Sequence, residues 1–276
     1  MPELPEVETV RRSLLPYVLN KQIQSVDVHY DRMLQDVSVS EFKYGLRDNR
    51  FIDIGRRGKY LLFYLESQHI MVVHLRMTGR LIFVSNSQIP LAKHTSVVFA
   101  FSEDSALRFE DQRKFATINF LTPDRLHEVR GLREMGPEPL SEEFTLEVFS
   151  HILRNRKAAI KGLLLDQRRI AGLGNIYADE SLFMAGIHPE RPANSLTKKE
   201  QERLYTAIRT VLQDAVDNQG TTVRDYRTGY GTEGSFQNKL QIYGKKGQHC
   251  PQCGEEVAYK KVVGRTSHFC PTCQKE

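Results

Sequence analysis

The sequence predicts an α+β protein of several domains, in which an N-terminal β-sandwich with a leading helix is followed by a helical domain and a small C-terminal β-hairpin. Three observations predict this class. Short apolar segments with strand-like alternation fill the first half of the chain. Apolar residues change to helical spacing after Met135. All four cysteines lie in the last 27 residues.

The first element is a helix. Val7, Val10 and Leu14 recur at helical spacing just after Pro5, and Glu6 lies in the first turn, where a carboxylate suits the positive end of the helix dipole. Short segments rich in β-branched and aromatic residues follow, separated by polar, turn-like clusters. We predict strands at residues 23–28, 60–65, 70–75, 81–84, 97–101 and 118–121.

A Gly-Pro-Glu-Pro run at residues 136–139 marks a linker, and helices are predicted beyond it. Apolar stripes fall at 144–152, 160–164 and 176–184. The longest helix is expected to begin at Thr197, because Glu200 three residues later completes a capping box, and to end near Gly220. Residues 221–240 lack periodicity and are predicted to form a flexible loop.

The C-terminal cysteines have metal-ligand spacing. Cys250-x-x-Cys253 and Cys270-x-x-Cys273 are separated by 16 residues, a pattern typical of four-cysteine zinc sites, with a redox dithiol as the alternative. Four thiolates leave no open coordination position, so one structural Zn²⁺ is predicted within a zinc-finger β-hairpin. Arg265 lies on that hairpin and would present a cation to a phosphate.

Composition and charge limit the functional class. The 276 residues suffice for two modest domains, and no run of 18 apolar residues is present, so we expect no membrane span. The acidic N-terminus lacks the features of a signal peptide, which predicts a cytoplasmic protein. The net charge of +5 suits a polyanionic partner, but the surplus is small, so local placement of basic groups must create any nucleic-acid surface.

The N-terminus offers a reactive group. Proline is small enough for Met1 to be removed, which would expose the secondary amine of Pro2. Such an amine can attack a sugar C1′ and form an iminium ion, an electron sink that favours elimination. An α-amino group has a pKa of ~8 against ~10.4 for lysine, so more of it is unprotonated near neutral pH. Taken alone, however, Met-Pro-Glu is an ordinary start.

Three motifs together resemble the formamidopyrimidine-DNA glycosylase family along the whole chain. They are the N-terminal Pro-Glu-Leu-Pro-Glu string, the Gly-Leu-Gly-Asn segment at 172–175 and the cysteine hairpin. The resemblance implies a monomeric bifunctional enzyme of base excision repair. Its activities would be a DNA glycosylase that removes 8-oxoguanine and formamidopyrimidines from double-stranded DNA and an AP lyase that nicks the strand by β,δ-elimination.

The resemblance also implies catalytic roles. Pro2 matches the Schiff-base nucleophile, Glu3 the acid assigned to protonation and Glu6 a second carboxylate of the pocket. Lys59 matches the lysine assigned to β-elimination and phosphate contact, and Arg265 the arginine assigned to δ-elimination.

Further positions match DNA contacts of the family. Met77, Arg113 and Phe115 match three residues that fill the void left by an extruded base. The glycine-bearing turn before Asn175 is like that of a helix–two-turn–helix, where backbone N–H groups meet phosphate. The remaining predicted DNA-binding residues are His94, Arg156, Lys157, Lys161 and Asn175. Two departures are Ser96, where many members have histidine, and Ala116, where many have glycine.

The resulting domain prediction has three parts. Residues 1–135 form the catalytic β-sandwich domain, 136–240 the helix–two-turn–helix domain with a loop that covers the lesion, and 241–276 the zinc finger. Within the loop, Thr221, Thr222 and Tyr226 are candidate lesion contacts.

Two other functions remain open at this point. An endonuclease VIII-type glycosylase removes oxidised pyrimidines with the same N-terminal amine, but its start usually reads Pro-Glu-Gly-Pro, whereas residue 4 here is leucine. A catalytically inactive protein that binds lesions without cutting is the second alternative, and the joint presence of Pro2, Glu3, Lys59 and Arg265 argues against it.

Overall fold

A computed structural model describes residues 1–102, 104–223 and 225–275. The chain divides into two compact units. The first comprises 1–133 together with 218–235, and the second comprises 134–217 together with 236–276.

The first unit contains two β-sheets and the leading helix. Helix α1 spans Leu4–Val18 and α2 spans Val39–Leu46, with a four-residue helix, α3, at Arg130–Arg133. The strands are β1 Ile23–Val28, β2 Leu34–Gln35, β3 Phe51–Arg57, β4 Tyr60–Leu65, β5 Ile70–His74, β6 Gly79–Val84, β7 Thr95–Phe101, β8 Ala106–Asp111 and β9 Thr117–Leu121. One sheet has the strand order β1-β7-β8-β6 and the other β2-β9-β5-β4-β3.

A single apolar core joins the two sheets to α1. Phe51 from one sheet and Phe99 from the other have ring centroids 6.2 Å apart, and Val7, Val10 and Leu14 of α1 pack into the same cluster. Burial of these side chains provides the main driving force for packing the layers together. The predicted sandwich with a leading helix is confirmed, and strands occur in all six predicted segments. Strands β2, β3 and β8 were not predicted. β2 has only two residues, and charged residues at the ends of β3 and β8 obscure the apolar pattern.

The second unit is helical and carries the C-terminal hairpin. Its helices are α4 Leu146–Leu153, α5 Ile160–Leu165, α6 Asn175–Ala185 and α7 Lys198–Asp217. The predicted capping box is present, since the Thr197 backbone N–H donates to the Glu200 carboxylate over 2.8 Å. Arg191 and Thr197 hydrogen-bond that carboxylate and hold the pKa of Glu200 at about 2.

The hairpin consists of β10, Ala258–Val262, and β11, Arg265–Phe269, paired antiparallel with Val262 opposite Arg265. Only Val263 and Gly264 connect the strands, and both have positive φ, 44° and 77°, as a tight type I′ turn requires. This turn places Arg265, which is exposed, at the start of β11.

The segment 218–235 differs from the domain prediction, which assigned it to the helical domain. It belongs to the first unit. The Phe83 backbone N–H on edge strand β6 donates to the Gly229 carbonyl over 2.8 Å, and Tyr226 is buried in the core of the sandwich. A Cβ on Gly229 would lie 2.7 Å from the side chains of Leu14 and Ser13, so a larger residue here would force those side chains to move. The segment is aperiodic, as predicted, but backbone pairing ties it to the sandwich.

Within the described ranges, no helix combines the length and the apolar character that crossing a bilayer demands.

Candidate active site

Pro2 is buried directly before the start of α1, while Met1 is exposed. Glu3 is the N-cap of the helix, and its backbone N–H donates to Glu6 Oε2 over 2.7 Å in a capping box. Glu3 and Glu6 are 3% and 1% exposed. The structure therefore brings together the predicted nucleophile and both predicted carboxylates at one helix N-terminus, where the helix dipole disfavours protonation of an amine.

Glu6 also holds the 218–235 segment. Its Oε1 accepts the Thr221 backbone N–H over 2.7 Å, so one carboxylate links the helix start to that segment. The preceding Gly220 has φ +74°, and a Cβ there would lie 2.8 Å from Glu6 Oε1. Of the candidate lesion contacts, Tyr226 is buried and donates from its hydroxyl to the Gln219 carbonyl. Tyr226 therefore stabilises the fold of the 218–235 segment.

Behind this end of α1 lies a group of arginines around Glu8. Burial alone would raise the pKa of Glu8, but hydrogen bonds from Arg11, Arg12 and Arg56 outweigh burial and lower it to about 2. Arg56 Nε lies 3.0 Å from Glu8 Oε2, which ties the end of β3 to α1. Lys59, three residues further on, occupies the β3–β4 connection and is 6% exposed.

Glu8→Gln tests this link. Because the folded pKa is depressed, the stabilisation is present above the unfolded value of about 4.5 and is lost as pH falls from there towards 2. After allowance for solvent screening of the partly exposed pairs, we expect the variant to lose about 2 kcal/mol of unfolding free energy at pH 7. The difference from wild type should shrink near pH 3. Urea unfolding at both pH values measures this. Glu128→Gln, at an exposed ion pair, is the control, and an equal loss at pH 3 and pH 7 would contradict the assignment.

His74 was missed in the sequence and lies beside Lys59. Burial, followed by the charges of Arg76 and Lys59, lowers the pKa of His74 to about 3, so the imidazole is neutral at physiological pH. Its Nδ1 accepts the Arg76 backbone N–H over 2.9 Å, and the Tyr60 ring packs edge-on at 4.5 Å. Nδ1 is then the acceptor and Nε2 carries the proton. A lone histidine at the end of an apolar strand gives no sequence signal of this arrangement.

The three predicted void-filling residues contact one another at the surface of the first unit. Arg113 Nη1 lies 3.1 Å from Met77 Sδ, and its Cζ is 5.0 Å from the centroid of the Phe115 ring. Met77 is 38% and Phe115 52% exposed, unusual values for large apolar side chains. His94 is partly buried before β7. Its carbonyl accepts the Asp111 N–H, which places it beside the Arg113 loop.

In the second unit, the glycine-bearing turn precedes α6. Gly172 has φ +88°, and its N–H donates to Gln167 Oε1 over 2.9 Å. Asn175 opens α6, and its Nδ2 donates to the Thr266 carbonyl on β11 over 2.9 Å. Thr266 follows Arg265 in sequence, so this bond brings Asn175 and the Arg265 strand together. Arg156 and Lys157 are exposed in the connection before α5.

Lys161 contradicts the prediction of a DNA contact. Its side chain is 0% exposed, and Nζ lies 2.5 Å from Asp179 Oδ1, which is equally buried. Nζ also donates to the Thr266 carbonyl over 3.2 Å, and Asp179 Oδ2 accepts the His268 N–H. A buried ammonium paired in this way cannot reach a phosphate, so Lys161 and Asp179 instead attach β11 to the helices.

We expect Lys161→Met to lower the unfolding free energy of the second unit by about 3–5 kcal/mol, because it leaves the Asp179 carboxylate buried without its counter-charge. Thermal or urea unfolding measures the loss. Adding Asp179→Asn should restore part of the stability by removing the orphaned charge. Full stability in the single variant would show that the pair is dispensable.

The four cysteines converge in the second unit. Their Sγ atoms all lie within 4.8 Å of one another, with Cys250 and Cys273 3.9 Å and Cys253 and Cys270 3.4 Å apart. Tetrahedral Zn–S bonds of about 2.3 Å imply sulfur separations of roughly 3.8 Å. The cluster can therefore hold a metal ion, and its four-thiolate donor set and spacing fit zinc.

Comparisons with known proteins point to one family. Residues 1–118 match the family model of the formamidopyrimidine-DNA glycosylase N-terminal domain, and residues 135–227 match that of the formamidopyrimidine-DNA glycosylase H2TH domain. The chain is 50% identical to formamidopyrimidine-DNA glycosylase of Pelotomaculum thermopropionicum, over 100% of this chain and 99% of that protein. It is 47% identical to the enzyme of the same name from Heliobacterium modesticaldum, over 100% of both chains.

Solved structures of Lactococcus lactis Fpg are also similar. A complex of the wild-type protein with DNA containing N7-benzyl-Fapy-dG has a TM-score of 0.93 at 38% identity, covering 100% of both chains. A complex with DNA containing an abasic site has a TM-score of 0.92 at 38% identity, covering 99% of this chain and 100% of that one.

Proposed function

Because the chain belongs to the formamidopyrimidine-DNA glycosylase family, we propose that it excises 8-oxoguanine and formamidopyrimidines from double-stranded DNA and nicks the strand with its N-terminal amine. The observation that carries this proposal is the placement of Pro2 directly before the N-terminus of α1, beside the buried carboxylates of Glu3 and Glu6. Its partner is duplex DNA, and we expect the enzyme to be cytoplasmic and to act as a monomer.

Removal of Met1 frees the Pro2 nitrogen for attack on C1′ of the damaged nucleotide. As the N–C1′ bond forms, the bond from C1′ to the base breaks, and its electron pair leaves with the base, which takes up a proton. The Pro2 nitrogen then gives up its own proton to solvent. Its lone pair opens the sugar ring as the ring oxygen takes up a proton from Glu3, which leaves an iminium ion on Pro2. The cationic nitrogen then acidifies the C2′ proton.

Loss of that proton expels the 3′ phosphate by β-elimination, and loss of a further proton expels the 5′ phosphate by δ-elimination. Lys59 serves the first elimination and contacts phosphate, and Arg265 serves the second. Glu6 orients the helix start through its bond to the Glu3 N–H.

DNA contacts are divided by chemistry. Met77, Arg113 and Phe115 enter the space left by the extruded nucleotide, and Arg113 donates to the acceptors of the orphaned cytosine. The phosphate contacts are His94, Arg156, Lys157 and Asn175. The four-cysteine cluster holds one structural Zn²⁺, which when bound stabilises the hairpin that carries Arg265.

Borohydride trapping tests the proposal. The protein is incubated with a duplex that contains 8-oxoguanine opposite cytosine, and the reductant converts any iminium into a stable amine. We expect a DNA–protein crosslink that peptide mass spectrometry assigns to Pro2. Binding without a crosslink would identify an inactive lesion-binding protein. A parallel thymine glycol duplex compares purine with pyrimidine excision, and faster release of the pyrimidine would overturn the assigned substrate class.

A further inference from the structure

Asp111 is a buried carboxylate to which the proposed reaction assigns no role. It ends β8 and is 2% exposed. Its Oδ1 accepts the Thr78 hydroxyl over 2.5 Å and the Arg113 backbone N–H over 3.2 Å. Its Oδ2 accepts the backbone N–H groups of Phe115 and Ala116 over 2.7 and 2.8 Å. Both oxygens therefore receive two hydrogen bonds each, which satisfies the acceptor capacity of a carboxylate.

These donors belong to the two loops that carry the void-filling residues. Thr78 follows Met77, while Arg113 and Phe115 lie in the loop between β8 and β9. The Arg113 N–H is shared with the Thr78 hydroxyl oxygen at 3.0 Å, which joins the loops directly. Because Asp111 accepts hydrogen bonds from both loops, a shift of one loop would shift the other.

The loop backbones need this support. Arg76 and Lys114 have φ values of 52° and 58°, in the left-handed region that side chains other than glycine seldom adopt. Such conformations persist only where surrounding contacts determine them. Hydrogen bonds to an ionised acceptor are among the stronger ones available, and Asp111 supplies them on both sides of Lys114.

Asp111 binds backbone groups and leaves the side chains of Arg113 and Phe115 exposed at the surface. Asp111 therefore fixes the backbone positions of Arg113 and Phe115. It leaves the guanidinium donors of Arg113 and the ring of Phe115 available to contact DNA. Arg113 can distinguish bases only if its guanidinium meets the opposite base at a defined place, since a misplaced donor leaves buried polar groups unpaired.

We propose that Asp111 is a positioning residue that sets the geometry of the Met77, Arg113 and Phe115 group and thereby the discrimination of the base opposite the lesion. This inference rests on the proposed function. The carboxylate touches no reacting atom, so its loss should affect steps that need the void filled and spare the chemistry of Pro2.

Asp111→Asn tests the inference, because the amide presents an NH₂ group to two of the four donors. Single-turnover excision of 8-oxoguanine opposite cytosine should fall at least about tenfold, and the preference for cytosine over adenine opposite the lesion should shrink at least about fivefold. Trapping on an abasic site in a single-stranded oligonucleotide should stay within about twofold of wild type, because no orphaned base exists there.

Two further variants keep the test decisive. Thr78→Val removes one donor at nearly constant volume and should change the cytosine preference in the same direction by a smaller factor. Glu110→Gln removes a carboxylate from the adjacent strand position and should behave as wild type. Unchanged cytosine preference in both Asp111→Asn and Thr78→Val overturns the positioning role, as does an equal fall in duplex excision and single-strand trapping. Absence of trapping in the wild-type protein would instead reject the proposed function.

Discussion

Pro2→Gly is expected to lose at least about a hundredfold in single-turnover excision of 8-oxoguanine, equivalent to about 2.7 kcal/mol of transition-state stabilisation. Glycine leaves a primary amine after Met1 is removed, so attack on C1′ no longer yields the fully substituted iminium of a secondary amine. The proline ring also restricts the backbone immediately before the Glu3 N-cap, whereas glycine would allow the nitrogen to adopt many positions.

Zinc content and affinity for lesion-bearing duplex should persist in this variant, because neither depends on the amine. Pro5→Ala is the matched control: it removes a proline from the first turn of the same helix and leaves the terminal amine intact. Intact mass first establishes that Met1 is absent from each sample. Full excision by Pro2→Gly would show that another group attacks the sugar.

The second large effect concerns the metal. Cys253→Ser should reduce bound zinc to well below one equivalent and weaken binding to lesion-bearing duplex at least about tenfold, since metal binding and folding of such hairpins are linked. Strand β11 of the hairpin carries Arg265. The Thr266 carbonyl on the same strand accepts hydrogen bonds from the side chains of Lys161 and Asn175. A hairpin without its metal should lose this attachment, and the proposed phosphate contacts Asn175 and Arg265 should lose their fixed positions.

Gln252→Ala is the control, because it changes an exposed residue of the same Cys-x-x-Cys turn and leaves all four sulfurs. Metal content by atomic absorption and affinity by fluorescence anisotropy are measured on each protein. Wild-type affinity in a zinc-free variant would show that the hairpin folds and binds without the ion.

Local patterns were sufficient for much of the architecture. Alternation located strands such as β6 and β7, because the residues at alternate positions of each strand pack in the core of the sandwich. The Thr197 and Glu200 pair marked the start of α7, because a capping box involves only residues three positions apart. The cysteine spacing predicted a metal cluster for a similar reason, since two short turns and one hairpin bring the sulfurs together.

The roles of residues whose partners are distant in sequence could not be predicted from local patterns. Lys161 looked like a surface cation, yet Asp179, eighteen positions away, and Thr266, more than a hundred positions away, bury it. Residues 221–235 of the predicted loop looked like part of the helical domain, yet Glu6 and Phe83 bind residues 221 and 229 to the sandwich. Residues 236–240 do belong to the second unit. No sequence pattern indicated the buried hydrogen bonds of Asp111 and His74.

The sequence by itself therefore determined most of the succession of strands and helices and the four-cysteine cluster, which are encoded in neighbouring residues. Tertiary structure alone decided which charges are buried, which loop belongs to which unit and which carboxylate joins the loops of Met77 and Arg113. The physical reason is that burial and hydrogen bonding of a polar group depend on partners that the folded chain brings to it, and periodicity along the chain carries no record of them.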